Sequence, residues 1–320
     1  MHTRLHPRLL SAALVAAALT LAGCGSSNSS DSSSGDSGSG ASFDTVSITG
    51  DVGTDATVKF TSAMKDVKDQ TKVLTQGSGD TVAAGDSLII QTVIADGTTQ
   101  KTVASSYQDK QPQVVTLSSQ VQKVFLDALQ GKTVGSRVGV LAPASEIFGS
   151  SGNTQLGIQA SDSVLIVFDV IGKPLDKPDG KQHSAPSWAP KVESSKGVIS
   201  GLDFAKAPKP NGKLRSANLY DGTGPVVKKG QTIFARYLGV VYGGKKPFDE
   251  NFSGDAPATF QIGAGRVIKG WDKTLVGQHV GSEVLLAIPP ADGYGKKGQA
   301  SAGIKGTDTL YFVVDIVGAA

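Results

Sequence analysis

The sequence predicts an α+β chain of two tandem domains, each a curved antiparallel β-sheet wrapped on one short helix. Three observations lead there. Thr232 to Tyr242 is a run of β-branched and aromatic residues with loose alternation, the pattern of a half-buried strand. Val267, Ile268, Trp271 and Leu275 follow a helical spacing that Gly277 cuts short. The segment around Gly77 reappears around Gly222, 145 residues on, which marks an internal repeat.

The remaining elements of the second copy follow from local chemistry. Gly243 and Gly244 turn the chain after the first strand, Phe260 and Ile262 mark another, and Gly263 and Gly265 break it. Val284 to Ile288 is a third apolar run, ended by Pro289 and Pro290, and Thr309 to Val317 is the closing strand. Glycine turns between short strands imply antiparallel neighbours.

Within this frame stand R-Y-L-G at Arg236, P-F-D at Pro247, V-I-K-G-W at Val267, G-Y-G at Gly293 and T-L-Y-F-V-V-D-I at Thr309. On these motifs, Gly230 to Gly318 resembles an FKBP-type peptidyl-prolyl cis-trans isomerase, the rapamycin-binding immunophilin fold. The resemblance places a pocket on Tyr237, Phe248, Asp249, Val267, Ile268, Trp271, Tyr294, Ile304 and Phe312, with Trp271 as its floor. Two positions depart from the family. Ala258 stands where an aromatic is expected, which opens that wall, and Gly254 stands where an arginine would support the aspartate.

Such residues suit such chemistry. Rotation about an X-Pro bond breaks amide resonance against a barrier of ~20 kcal/mol and needs no proton transfer. A catalyst must bind the twisted amide better than the planar one, and an aromatic pocket that excludes water favours the less polar twisted form. The resemblance implies that Trp271, Phe312, Val267 and Ile268 cradle the proline ring. The Tyr294 hydroxyl and the Ile268 backbone N–H would hold substrate carbonyls, and Asp249 with Tyr237 would wall the twisting amide. Taken singly, Phe248, Phe260 or Phe312 reads as core and Asp249 as a turn carboxylate. Phe260 reads as structural rather than pocket-lining.

The repeat extends through the first copy. T-V-G-S-R-V around Gly135 matches H-V-G-S-E-V around Gly281, and V-F-D-V-I-G ending at Gly172 matches V-V-D-I-V-G ending at Gly318, both 146 residues apart. A single-residue insertion separates this offset from the earlier one. Carried through the alignment, the pocket positions become Thr92, Val103, Ala104, Gln122, Phe125, Phe148 and Ile166, for Tyr237, Phe248, Asp249, Ile268, Trp271, Tyr294 and Phe312. The carboxylate, both tyrosine hydroxyls and the tryptophan are gone. A silent or weak first copy, serving as a client-binding or spacing module, is expected.

Residues 1–24 read as a targeting segment: Arg4 and Arg8 precede the apolar run Leu9 to Ala22, too short to span a bilayer. Leu21-Ala22-Gly23-Cys24 resembles the bacterial lipobox, with the only cysteine of the chain at the lipidated position. That resemblance implies a diacylated lipoprotein on the outer face of the bacterial cell membrane, since two acyl chains anchor stably. Residues 25–42, mostly Ser and Gly, read as a flexible tether with a reach of roughly 20–25 Å. The first domain is assigned to 43–172, a Pro-rich semi-stiff linker to 173–190 and the isomerase domain to 191–320. Each domain has a leader, Phe43 to Lys72 and Trp188 to Phe204, that suggests an added strand.

Other chemistries find little support. A net charge of +3, with Lys228-Lys229, Lys245-Lys246 and Lys296-Lys297 as isolated pairs, gives no nucleic-acid footprint. His2, His6, His183 and His279 are scattered, without a metal-ligand spacing or a hydrolase triad. G-A-G-R-V-I at Gly263 lacks the sixth-position glycine of a dinucleotide fingerprint, so no cofactor is expected. Two function classes remain: a membrane-tethered prolyl isomerase acting on proline-containing segments of unfolded or exported proteins, with macrolides as further ligands, or a non-catalytic peptide-binding holdase. No feature fixes the oligomeric state.

Overall fold

The computed structural model describes residues 42–254 and 256–320, and the chain divides into two compact units at the Lys173/Pro174 bond. The first unit runs β1 (Val46–Thr49), β2 (Thr57–Phe60), β3 (Gln70–Thr75), β4 (Ser87–Asp96), β5 (Lys101–Ser105), α1 (Ser106–Asp109), β6 (Gln113–Thr116), α2 (Lys123–Leu129), β7 (Arg137–Pro143), α3 (Ala144–Phe148) and β8 (Ser163–Gly172). The second runs β9 (Lys181–Gln182), β10 (Lys191–Ser195), β11 (Val198–Asp203), β12 (Arg215–Asp221), β13 (Thr232–Val241), β14 (Asp249–Glu250), β15 (Ala258–Gln261), α4 (Lys269–Thr274), β16 (Glu283–Ile288) and β17 (Leu310–Ala319).

Both main sheets are antiparallel and share one topology. The first has strand order β3-β7-β8-β4-β5, with β6 also on β4; the second has β9-β12-β16-β17-β13-β14, with β15 also on β13. The registers match as well: Ile94 pairs with Ile166 and Ala104 where Gly239 pairs with Phe312 and Asp249. Gln122 and Ile268 each precede the main helix of their unit, which places the single-residue insertion in the Gly263–Gly265 loop.

The long strands read as unbroken apolar runs because both faces are covered. On β17, Leu310, Phe312, Val314 and Ile316 face the core beneath α4, and Tyr311 and Val313 face a second cluster with Leu202 and Phe252. In the first unit Ile166, Phe168 and Val170 of β8 pack toward α2, while Leu165 and Val167 lie against Phe43 and Met64.

What covers the outer face is the leader of each unit. Each leader is a hairpin rather than the single added strand expected. β1 pairs with β2, and β10 pairs with β11 through a two-residue turn at Lys196 (φ 52°) and Gly197 (φ 81°). Positive φ at both turn residues matches the twist of the flanking strands. The first hairpin is also fastened by charge. Arg137 on β7, 2% exposed, donates to both oxygens of Asp169 at 2.6 and 2.7 Å, and to the Gly50, Asp51 and Thr54 carbonyls at 2.6, 3.0 and 2.7 Å. The Gly53 N–H at 2.9 Å and the Tyr107 hydroxyl also donate to Asp169, so a buried ion pair is satisfied on every side.

The stretch 173–190, expected as a linker, belongs to the second unit from Pro174 onward. Leu175 N–H donates to the Val317 carbonyl at 2.8 Å, β9 pairs with Tyr220 and Asp221, and His183 N–H donates to the Leu219 carbonyl at 2.8 Å. Its prolines stiffen a segment that runs along the sheet edge. Pro208 to Gly212 lies between β11 and β12 of the same unit.

Candidate active site

The pocket of the second unit begins with a glycine. At Gly239 on β13 a Cβ would lie 2.6 Å from both Phe248 Cζ and Phe312 Cε1, so the bare backbone lets two rings close over the strand. They meet edge to face at 5.5 Å. Phe312 packs in the same way on Trp271 at 5.4 Å, and Trp271 meets Tyr237 at 5.6 Å and Phe260 at 4.8 Å. Such T-shaped contacts suit the ring quadrupoles and fix each plane. Phe260, read from sequence as structural, therefore stands in the aromatic box itself. Its signal was its pairing partner, since Phe260 lies opposite Ile233 on β13 and not on a separate layer.

Trp271 is placed by α4. The helix spans only Lys269–Thr274; Val267 and Ile268, expected within it, form the approach and its cap. Gly270 allows the helix to sit directly on β16, where a Cβ would meet the Ile288 side chain at 2.6 Å. Asp272 holds the preceding loop by accepting from Gly263 N–H at 2.6 Å and Gly265 N–H at 2.8 Å.

The polar groups gather on the opposite wall. Tyr237 hydroxyl donates to Asp249 Oδ2 at 2.8 Å. Asn251 ties the two strands beneath: its Oδ1 accepts from Tyr237 N–H at 2.7 Å and its Nδ2 donates to the Ala235 carbonyl at 3.0 Å. Sequence reading did not single out this residue. At Gly254 the backbone carbonyl accepts from Arg236 at 2.7 Å. Asp249 is thus held by a tyrosine and a clamped strand where the family's pattern expects an arginine.

Tyr294 and Ile304 share a flap. Two turns of 3-10 helix flank Tyr294, and Gln299 bridges to Ile304 to close the loop. The Tyr294 hydroxyl is buried without a partner among the described residues, as is Trp271 Nε1. Burial, aided by the Asp249 charge, pushes the Tyr294 hydroxyl up to about 12, so it stays a proton donor at neutral pH. Eight of the nine expected pocket residues lie in or against one core cluster, and the ninth, Asp249, joins it through Tyr237. Cys24 and the tether as far as residue 41 lie outside the described residues.

The first unit fills the same space differently. Ile94 replaces Gly239, and Thr92, Val103, Val115, Phe125 and Ile166 replace the five rings. Phe125, fully buried, meets Phe168 edge to face at 5.4 Å, where the second unit has Val314. Gln122 and Phe148 line an open cleft of ≈ 910 Å³ with Asp69, Ser119 and Glu146. A hydrogen bond donated to Asp69, with burial, raises the Glu146 carboxyl above its ordinary range, so this cleft is lined by polar, carboxyl-bearing side chains.

Comparison with known proteins shows the family of both units. The family model for FKBP-type peptidyl-prolyl cis-trans isomerase matches residues 78–171 and 224–317, one domain in each unit. The chain belongs to that family. It is 38% identical over 108 residues to the FK506-binding protein of Streptomyces anulatus, covering 34% of this chain and 87% of that protein. It is 37% identical over 147 residues to FK506-binding protein 4 of Aspergillus oryzae, covering 43% of this chain but 30% of that longer protein. The crystal structure of a peptidyl-prolyl cis-trans isomerase from Pseudomonas syringae pv. tomato aligns at 25% identity with a TM-score of 0.30, over 40% of this chain and 84% of that one.

Proposed function

We propose that the isomerase activity of this chain resides in the second unit and serves the folding of exported proteins at the cell envelope. The observation that carries this is the aromatic box of Tyr237, Phe248, Phe260, Trp271 and Phe312 with an unpartnered, protonated Tyr294 hydroxyl beside it, present in one unit only. Trp271, Phe312, Val267, Ile268 and Ile304 take the proline ring. The Tyr294 hydroxyl and the Ile268 N–H hold the flanking carbonyls. Asp249, kept in place by Tyr237, faces the twisting amide. As water is excluded, the amide that has lost its resonance polarity is favoured over the planar one and the barrier falls.

Activity of the full chain on a short Leu-Pro peptide tests the assignment. Tyr294→Phe should lower kcat/KM by up to about tenfold, the worth of one hydrogen bond, and Trp271→Ala should lower it further. Unchanged activity in both variants would move the chemistry to the first unit. Macrolides of the FK506 type fit the same reading, as competitors of the peptide.

Anchoring at the outer face of the membrane follows from the lipobox-like Leu21 to Cys24. Cys24→Ser should release the protein from the membrane fraction of expressing cells.

A further inference from the structure

The lysine pairs that look isolated in the sequence are brought together by the fold. Four chain segments meet at the pocket of the second unit, and each carries exposed cations beside its pocket residue. Lys245 and Lys246 precede Phe248; Arg266 and Lys269 flank Val267 and Ile268; Lys296 and Lys297 follow Tyr294; Lys305 follows Ile304. None is more than three residues from a pocket side chain, so each backbone lies within roughly 10 Å of one. Among the described residues, none of the seven forms an ion pair through its side chain.

The carboxylates on the same segments are already engaged. Asp249 accepts from Tyr237, Glu250 from Ser253, Asp272 from two glycine N–H groups and Asp308 from the Lys305 N–H, while Asp292 pairs with Lys273 at 2.7 Å. The first unit provides an internal control. At the positions of the seven cations it has Gln100, Lys101, Gln120, Lys123, Ser150, Ser151 and Gln159, and Lys123 there is paired with Asp127. Five of the seven positive charges are absent where the aromatic pocket is absent, and one of the two that remain is paired, a difference that a rim serving only solubility would not require.

We infer that this rim selects prolyl segments carrying aspartate or glutamate within a few residues of the proline. This rests on the placement of activity in the second unit. A carboxylate on either side of a proline held in the pocket meets a cation on one of the four segments. Exposed pairs are individually weak, but several cations of one sign around a low-dielectric cleft focus the field and speed encounter with an anionic chain.

The test is kcat/KM of the full chain, without membranes, on three peptides that share a Leu-Pro centre and carry two Glu, two Ala or two Lys on each side. At low ionic strength the Glu peptide should exceed the Lys peptide by roughly tenfold, with Ala between, and 0.5 M NaCl should shrink the ratio to about twofold or less. Replacing all seven cations together by Gln should flatten the series and leave the Ala peptide unchanged. Equal rates at low salt, or a preference that survives the seven substitutions, would overturn the inference. Absence of turnover on all three peptides, with the second unit folded, would overturn the activity assignment beneath it.

Discussion

Glu283 on β16 lies directly across from Asp315 on β17, at the place where the first unit pairs Arg137 with Asp169. One copy buries a salt bridge there, and the other sets a half-buried carboxyl, Glu283, against a buried one, Asp315. Asp315 is 5% exposed, and Arg236, its neighbour on β13, is the cation on its other side. Tyr220 and Gln182 continue the row beyond Glu283.

The first prediction follows from that row. Burial, then the charge and hydrogen bond of Glu283, push the Asp315 carboxyl up to about 8 against the opposing pull of Arg236. The native state holds a proton that the unfolded chain releases near pH 4. Stability from this group is therefore full below about pH 4 and declines as pH rises through about 8. The melting temperature of the second unit should fall between pH 5 and pH 8.5, and Asp315→Asn should flatten that slope. A melting temperature that rises over this interval would rule out the shared proton.

Arg137 makes the opposite case. Arg137→Met leaves the Asp169 carboxyl buried without its cation against the Gly50–Thr54 turn, at a cost of about 3–5 kcal/mol to the first unit. Replacing both partners by apolar residues should cost less than the single change, because the uncompensated charge is gone. Denaturant melts followed by hydrogen exchange at β4, β7 and β8 would separate the two outcomes.

Much of this was legible in the chain. The strand Thr232–Val241, the closing strand at Leu310 and Trp271 on a short helix were written in the side-chain pattern, because burial leaves a periodic signature. The repeat was legible through glycine turns, whose backbone demands both copies keep. What stayed hidden was made by backbone pairing or by single charges. β9 joins the sheet through main-chain bonds that no side-chain pattern marks. Arg137, Asp169, Glu283 and Asp315 each stand alone in an apolar run, and only the register shows which charges meet. The gathering of the lysine pairs depends on loop closure around Tyr294 and Ile304, which the spacing of the pairs does not reveal.

With activity placed in the second unit as proposed, Gly239 links packing to it. Gly239→Val puts methyl groups where the rings of Phe248 and Phe312 already lie at 2.6 Å from a Cβ, so the rings must part. The expected cost is about 1–3 kcal/mol of stability. Isomerase activity should fall by more than the folded fraction does, because the proline cradle loses its shape. The corresponding Ile94→Gly in the first unit should destabilise that unit and leave activity unchanged. Activity measured at a temperature where both variants are fully folded decides the matter.

Asn251 tests how Asp249 is held. Its side chain satisfies Tyr237 N–H and the Ala235 carbonyl, both inside the sheet edge that carries Asp249. Asn251→Ala should cost about 1–3 kcal/mol, since it leaves two backbone groups unpaired. Asn251→Asp keeps the acceptor for Tyr237 N–H but loses the donor to Ala235, and brings a second negative charge near Asp249. The aspartate variant should therefore recover stability as pH is lowered through the carboxylate range, while the alanine variant does not. If instead the two variants show the same pH profile and the same kcat/KM as the parent chain, Asn251 does not position the Tyr237–Asp249 pair, and the wall facing the amide is set by β13 and β14 alone.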